Sequence, residues 1–154
     1  MKLTDFKTDI NLLDFRDKLV FKKKSDQMFL KDPIRKKYVM LQPEEIVRQL
    51  FLCYLIDAEN VNRNLIQVEK TIIINNVKRR FDIVVYDQQI QPKILVECKA
   101  PEIPITQATF DQAAMYNVAL KAPYLIVTNG PDTYIADMDS DYDGYKLLKS
   151  YPRM

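Results

Sequence analysis

Two stretches decide how this chain folds: Arg80-Phe81-Asp82-Ile83-Val84-Val85-Tyr86 and Ile94-Leu95-Val96-Glu97-Cys98-Lys99. Both are apolar, strand-like runs interrupted by charge, and a charge placed near a core is costly unless something compensates it. Side chains alternate faces along a strand, so Ile94, Val96 and Cys98 point one way and Leu95, Glu97 and Lys99 the other. Glu97 and Lys99 are then neighbours, roughly 6 to 7 Å apart along the strand. Between the runs lies Asp87-Gln88-Gln89-Ile90-Gln91-Pro92, polar and ending in a proline that a central strand interior would reject. This reads as a hairpin loop. If the hairpin is symmetric about the Gln89/Ile90 bond, paired positions sum to 179, as 82 and 97 do, and Asp82 faces Glu97.

Cross-strand partners have Cβ atoms about 4.5 to 5.5 Å apart. Two carboxylates that close repel unless a cation lies between them, and a Mg²⁺ taking one oxygen from each at about 2.0 to 2.1 Å fits the separation. Asp82 and Glu97 are therefore candidate metal ligands, with Lys99 placed to orient an activated water or offset charge on a phosphate. The competing reading is an exposed cross-strand carboxylate pair with a lysine as counter-charge, and a one-residue slip in register would send Asp82 to the other face.

The 154 residues and 47% hydrophobic content suit one domain, residues 1–154, with a single core. No apolar run reaches the roughly 18 residues of a membrane span, and Met1-Lys2-Leu3-Thr4-Asp5 lacks the apolar region of a signal peptide, so no membrane partner is expected and the location read is cytoplasmic. Cys53 and Cys98 sit in apolar sequence and read as core thiols of a reducing compartment. The chain has no histidine, which excludes Ser-His-Asp and Cys-His catalysis and His-bearing zinc sites. Its only glycines are Gly130 and Gly144, which excludes a Walker loop and a dinucleotide fingerprint, hence a nucleotide cofactor. Carboxylate, lysine and bound metal remain.

Charge is unevenly spread. From Arg16 to Lys37 nine basic residues face three acidic ones, a local excess of six, although the whole chain carries only +2. A basic segment beside a carboxylate site suits a phosphodiester substrate; the plain alternative is a solvated lysine-rich surface. Asp132, Asp137, Asp139, Asp141 and Asp143 form an acidic stretch near the other end.

Residues 1–41 read as an N-terminal extension with short strands at Leu13 to Phe15, Leu19 to Phe21 and Gln27 to Leu30. Pro43-Glu44-Glu45 opens a helix, since proline fits the first turn and acids suit the positive end of the macrodipole; the apolar run to Ile56 continues it. Strands follow at Leu65 to Lys70 and Thr71 to Ile74, then the Asp82 and Glu97 runs. Thr106 caps a helix to Leu120 whose apolar side holds Phe110, Ala113, Ala114, Val118 and Leu120, and on which Gln112 and Tyr116 stand one turn apart. Tyr124 to Thr128 and Thr133 to Ala136 read as strands, with a C-terminal tail over 138–154. A meander followed by a helical crossover gives an α/β (α+β) architecture: a mixed central sheet flanked by helices.

Asp82, then Glu97-Cys98-Lys99, then Gln112-x-x-x-Tyr116, preceded by a helix with Pro43-Glu44-Glu45-Ile46-Val47-Arg48-Gln49, resembles the PD-(D/E)xK nuclease superfamily. Within it the chain is similar to the N-terminal nuclease domain of type I restriction enzyme R subunits, over residues 33–136. The resemblance implies a restriction-endonuclease-like core over 42–137. It also implies Asp82 and Glu97 as metal ligands, Lys99 as the catalytic lysine, and Gln112 and Tyr116 as supporting residues beside the site. A glutamate of the first helix, most simply Glu45, with Glu44 the alternative, looks like a further acidic member. Standing alone, Gln112 and Tyr116 would be an ordinary helix-surface hydrogen bond and Glu45 an ordinary helix-start carboxylate. Phe81 stands where the superfamily name has proline, and no helicase motor accompanies these residues, which points to an excised domain or a free-standing relative.

Two functions are expected from this. The first is a Mg²⁺-dependent DNA endonuclease domain, with Mn²⁺ as substitute. The second is a catalytically silent DNA-binding or partner-docking module serving a separate helicase or translocase or other restriction-modification subunits.

Overall fold

A computed structural model describes residues 2–153. Two 3-10 turns, Leu3–Phe6 and Leu12–Lys18, precede three short strands, β1 (Phe21–Lys24), β2 (Gln27–Asp32) and β3 (Lys37–Met40). Helix α1 (Pro43–Cys53) runs on through a π-helical turn, Tyr54–Ala58, and a 3-10 turn at Arg63–Leu65 leads into β4 (Ile66–Ile74) and β5 (Val77–Tyr86). After these come β6 (Pro92–Cys98), α2 (Gln107–Leu120), β7 (Tyr124–Thr128), β8 (Thr133–Met138) and β9 (Tyr145–Leu148).

The strands form two sheets, one of β1 to β3 and a central one in the order β4-β5-β6-β7-β8-β9. Only β6 and β7 are parallel among the recorded pairings, with Glu97 beside Val127 and Cys98 beside Thr128. A parallel neighbour demands a crossover, and α2 supplies it. The α+β mixed sheet expected from the order of elements is the one observed.

Strand alternation distributes the core over both faces of the central sheet. Ile83, Val85, Ile94, Val96 and Cys98 pack with Val47, Leu50, Phe51 and Leu52 of α1, while Val84, Leu95, Leu125 and Val127 pack with Phe110, Ala113 and Leu120 of α2. Helix α1 begins with Pro43 at its first position and Glu44 and Glu45 in its first turn. Helix α2 begins at Thr106, whose side chain accepts from the Thr109 N–H, and closes on Lys121 in the left-handed conformation at φ 60°.

Several expectations need correction. Leu13 to Phe15 is not a strand: Asn11 accepts a hydrogen bond from the Leu13 N–H and starts a 3-10 turn that buries Leu12. Of the Leu19 to Phe21 candidate, only Phe21 enters a strand, whereas Gln27 to Leu30 extends to Asp32. The Leu65 to Lys70 and Thr71 to Ile74 candidates form one strand that starts at Ile66, with Leu65 in the preceding 3-10 turn, and it is turned into β5 by Asn75 and Asn76, both at positive φ as a two-residue hairpin requires. The 138–154 tail contributes β9, and Tyr151 is buried with its ring 6.0 Å from that of Tyr54. Cys98 is buried as expected of a core thiol, but Cys53 is only half-buried. On α2, Val118 is exposed, and Asn117 is buried instead, donating to the Ala122 carbonyl and accepting from the Ala122 N–H.

Candidate active site

The β5–β6 hairpin pairs Ile83 with Val96, Val84 with Leu95 and Val85 with Ile94, the register in which positions sum to 179. Recorded pairing stops at Ile83 and Val96. Beyond it, the Asp82 carboxylate takes the backbone N–H of Cys98 at 2.7 Å, so a side chain occupies an acceptor position of the ladder. The next strand is irregular at the same level. Glu69, between the pairs Val68–Ile83 and Lys70–Phe81, adopts φ 58°. A left-handed glutamate costs about 1 to 3 kcal/mol and persists only where surrounding contacts impose it. Across this interruption the alternation breaks, and Phe81 joins the α2-side cluster although Ile83, two residues on, belongs to the α1 side.

Glu97 and Lys99 open into a cavity of about 710 Å³ on the α2 side, together with Gln112 and Tyr116. Gln112 donates to the Tyr116 hydroxyl at 3.3 Å, and the Arg79 guanidinium lies 4.4 Å from the centre of the Tyr116 ring. Thr71, Lys78, Arg79 and Arg80 complete the wall. These cations went unnoticed as site residues in the sequence, where the Lys78-Arg79-Arg80 run directly before Phe81 was the available signal. Lys99 is held at the sheet's end by its own N–H, which donates to the Thr128 carbonyl at 2.8 Å.

Asp82 opens toward a recess on the α1 side, lined by Glu44, Glu45, Arg48, Glu69 and Glu102, and Arg80 and Phe81 border both openings. Asp82 therefore does not simply share the face of Glu97 and Lys99. The two carboxylates meet past the last ladder pair, where the sheet no longer separates its two sides.

The helix glutamate expected at the site, Glu45, lines the recess beside Asp82 but is already engaged by the protein's own partners. It is buried, accepts from Arg35 at 3.1 Å and from Gln49 at 3.0 Å, and lies 3.4 Å from Arg48. Glu44 is the exposed one, and its charge acts on both Asp82 and Glu97. Arg48, a residue the sequence reading did not single out, connects the two systems. Its guanidinium lies 3.2 Å from Glu69 and 3.5 Å from Asp82, while Arg35 joins Asp32 at 2.7 Å to Glu45 and to Glu69 at 3.2 Å. One chain of alternating charges thus runs from β2 to Asp82. Burial works against ionising Asp32, but hydrogen bonds from the Arg35 backbone and Gln49 outweigh it and hold its pKa below the usual range.

Asp82 and Glu97 behave oppositely. Burial pushes both upward, Asp82 to about 6 and Glu97 to about 8, and for Glu97 the Asp82 charge is the next cause. The Cys98 N–H, Arg48 and Lys99 oppose the rise at Asp82 without cancelling it. The pair offers two neighbouring carboxylates, and a hard cation with oxygen ligands is the group that such donors suit. Among the described residues no set of three or more acidic or cysteine side chains converges in metal-holding geometry, so the donors available are these two carboxylates and whatever solvent or substrate oxygens join them.

The fold is of α+β, nuclease-like architecture. Residues 43–152 match the family described as Type I restriction enzyme R protein N terminus (HSDR_N), and the chain belongs to that family. No curated protein matches the chain. Among the described residues no helix is long and apolar enough to cross a membrane.

Proposed function

We propose that the chain is a Mg²⁺-dependent deoxyribonuclease domain that hydrolyses phosphodiester bonds, acting in the cytoplasm within or beside a restriction complex that includes a DNA translocase. The observation that carries this reading is the meeting of the Asp82 and Glu97 carboxylates at the edge of a cavity walled by Lys99, Lys78, Arg79 and Arg80. Asp82 and Glu97 would hold the ion. When bound, it supplies positive charge beside the attacked phosphate and eases loss of a proton from water. Lys99 places an ammonium where negative charge grows on the phosphate, an effect worth most in a site partly screened from solvent. Gln112 and Tyr116 present an amide and a hydroxyl to the same cavity, and Arg79 braces the Tyr116 ring. Arg48 and the Cys98 N–H fix the Asp82 carboxylate.

Nicking of supercoiled plasmid tests this. It should require Mg²⁺ or Mn²⁺ and fall by roughly a hundredfold or more in Lys99→Ala, by analogy with loss of one charge-stabilising donor. Asp82→Ala and Glu97→Ala should be inactive. Equal nicking by all three variants removes the proposal.

One observation favours a second reading, a silent DNA-binding or partner-docking module. Arg48 lies 3.5 Å from Asp82 and supplies a cation of the protein's own. Titration calorimetry separates the readings: absence of Mg²⁺ binding to the wild-type chain, together with salt-sensitive DNA binding, supports the module.

A further inference from the structure

We propose that the outward face of the β1–β3 sheet binds the phosphate backbone of duplex DNA, at a surface separate from the cavity holding Glu97 and Lys99. The proposal rests on reading the chain as a DNA-processing domain, but it does not require cleavage. Register sorts the residues of this sheet into two faces. Phe21, Leu30 and Val39 stand in one row, and Asp32 faces Lys37 on the same side; Leu30 and Asp32 are completely buried there. The opposite side carries Lys22 beside Phe29 and Met40, Lys24 beside Gln27, and Lys31 beside Tyr38. Its three lysines are exposed, and the strands place no acidic residue on it. The nearest acid in the hairpin, Asp26, belongs to the turn at its tip.

Lysines on an exposed edge strand commonly serve to block pairing with another chain, and that accounts for Lys22 and Lys24 on β1. It does not account for Lys31. The strand order is β1-β2-β3, so Lys31 lies on the central strand, where no edge needs protecting. Lys22 and Lys31 converge on one ring, with their ammonium groups 5.0 and 5.9 Å from the centre of Tyr38. Tyr38 thus gathers two cations from different strands. Successive outward positions on one strand are about 6.6 Å apart, so Lys24 extends the row by one step. The ring is already covered by ammonium groups and is poorly placed to stack a base, which favours contact with a duplex backbone over an unpaired strand.

The surface is also firmly mounted. Asp32, on the buried side of β2, accepts from Arg35 at 2.7 Å and from Gln49 of α1 at 2.9 Å, and Arg35 reaches Glu45 and Glu69. DNA held on this face is therefore held against the same framework that carries Asp82.

Fluorescence anisotropy with a short labelled duplex, in EDTA to prevent cleavage, tests the proposal across a salt series. Lys22→Ala/Lys24→Ala/Lys31→Ala should weaken binding and flatten the dependence of log K on log salt by about 3, close to 0.9 for each lost phosphate contact. A charge-matched variant, Lys121→Ala/Lys146→Ala/Lys149→Ala, should change the slope far less. No binding by wild type, an unchanged slope in the first triple variant, or equal losses in both triple variants overturns the proposal. So does tighter binding of a single strand with Tyr38→Ala costing more than the lysines. Failure of plasmid nicking with lysine-dependent binding retained defeats the cleavage reading alone.

Discussion

Asp82 and Glu97 show how a sheet can bring like charges together: Asp82 lies within β5 and Glu97 next to the end of β6, flanked by the buried Ile83, Val84, Leu95 and Val96. A carboxylate whose pKa is higher in the folded chain than in the unfolded one keeps its proton longer when folded. Its contribution to stability then falls as pH climbs from the ordinary range, about 4, through the raised values. Here those values are about 6 for Asp82 and about 8 for Glu97. Without divalent ions, thermal melts should shift downward from about pH 5 to pH 8. Glu97→Gln should flatten that trend and raise the midpoint at the alkaline end by about 2 to 4 °C, the shift for roughly 1 kcal/mol in a domain of this size. Calorimetry across pH measures both. Arg48 has the opposite sign: Arg48→Met leaves Glu45, Glu69 and Asp82 facing one another and should cost about 3 to 5 kcal/mol in urea unfolding, with partial recovery in Arg48→Lys. The register that pairs Ile83 with Val96 was legible because hairpin symmetry is a local rule, but the side on which Asp82 opens was not, because period-two alternation breaks at Asp82 opposite Glu69. Which of Glu44 and Glu45 is buried was not legible, because adjacent helix positions differ by about a quarter turn and Glu45 is captured by Arg35, from outside the helix, together with Gln49 one turn on.

At the level of elements, the two ends of α2 hold it in place by different means. Thr106→Ala removes the oxygen that accepts from Thr109 and should lower stability by about 1 kcal/mol. Lys121→Gly removes the left-handed penalty at the other end of α2 and should raise stability by up to about 1 kcal/mol, less the entropy that glycine adds to the unfolded chain. Chemical denaturation measures both. Helix starts were readable from Pro43 and Thr106 because capping is a local event. The 3-10 turn at Leu12 was not, since a short apolar run suits a strand or a turn equally until Asn11 commits its side chain. Likewise β9 carries a weak pattern, and its place beside β8 comes from pairing Leu148 with Ile135 and Lys146 with Asp137.

For the whole molecule, the first 41 residues are structural and not merely appended. Leu12 and Leu30 are completely buried, and Asp32 anchors Arg35 and Gln49. A chain lacking residues 1–41 would leave Glu45 and Glu69 without Arg35 and would expose the side of α1 that Leu12 covers. It should lose near-UV circular dichroism and elute as aggregate in size-exclusion chromatography, while the full chain does neither. Basic charge in this region and the carboxylates at the end of the central sheet are thereby joined through one ion network.

Alternation, capping and hairpin symmetry act between near neighbours, so the amino-acid sequence by itself determined the mixed sheet, its two main helices and the register that pairs Ile83 with Val96. Only the tertiary structure decided where the carboxylates point, which helix glutamate stands free, and that Arg48 joins Asp82 to β2. The physical reason is that each of these outcomes is a competition among charges far apart in the chain, settled by which of them burial brings within hydrogen-bonding distance.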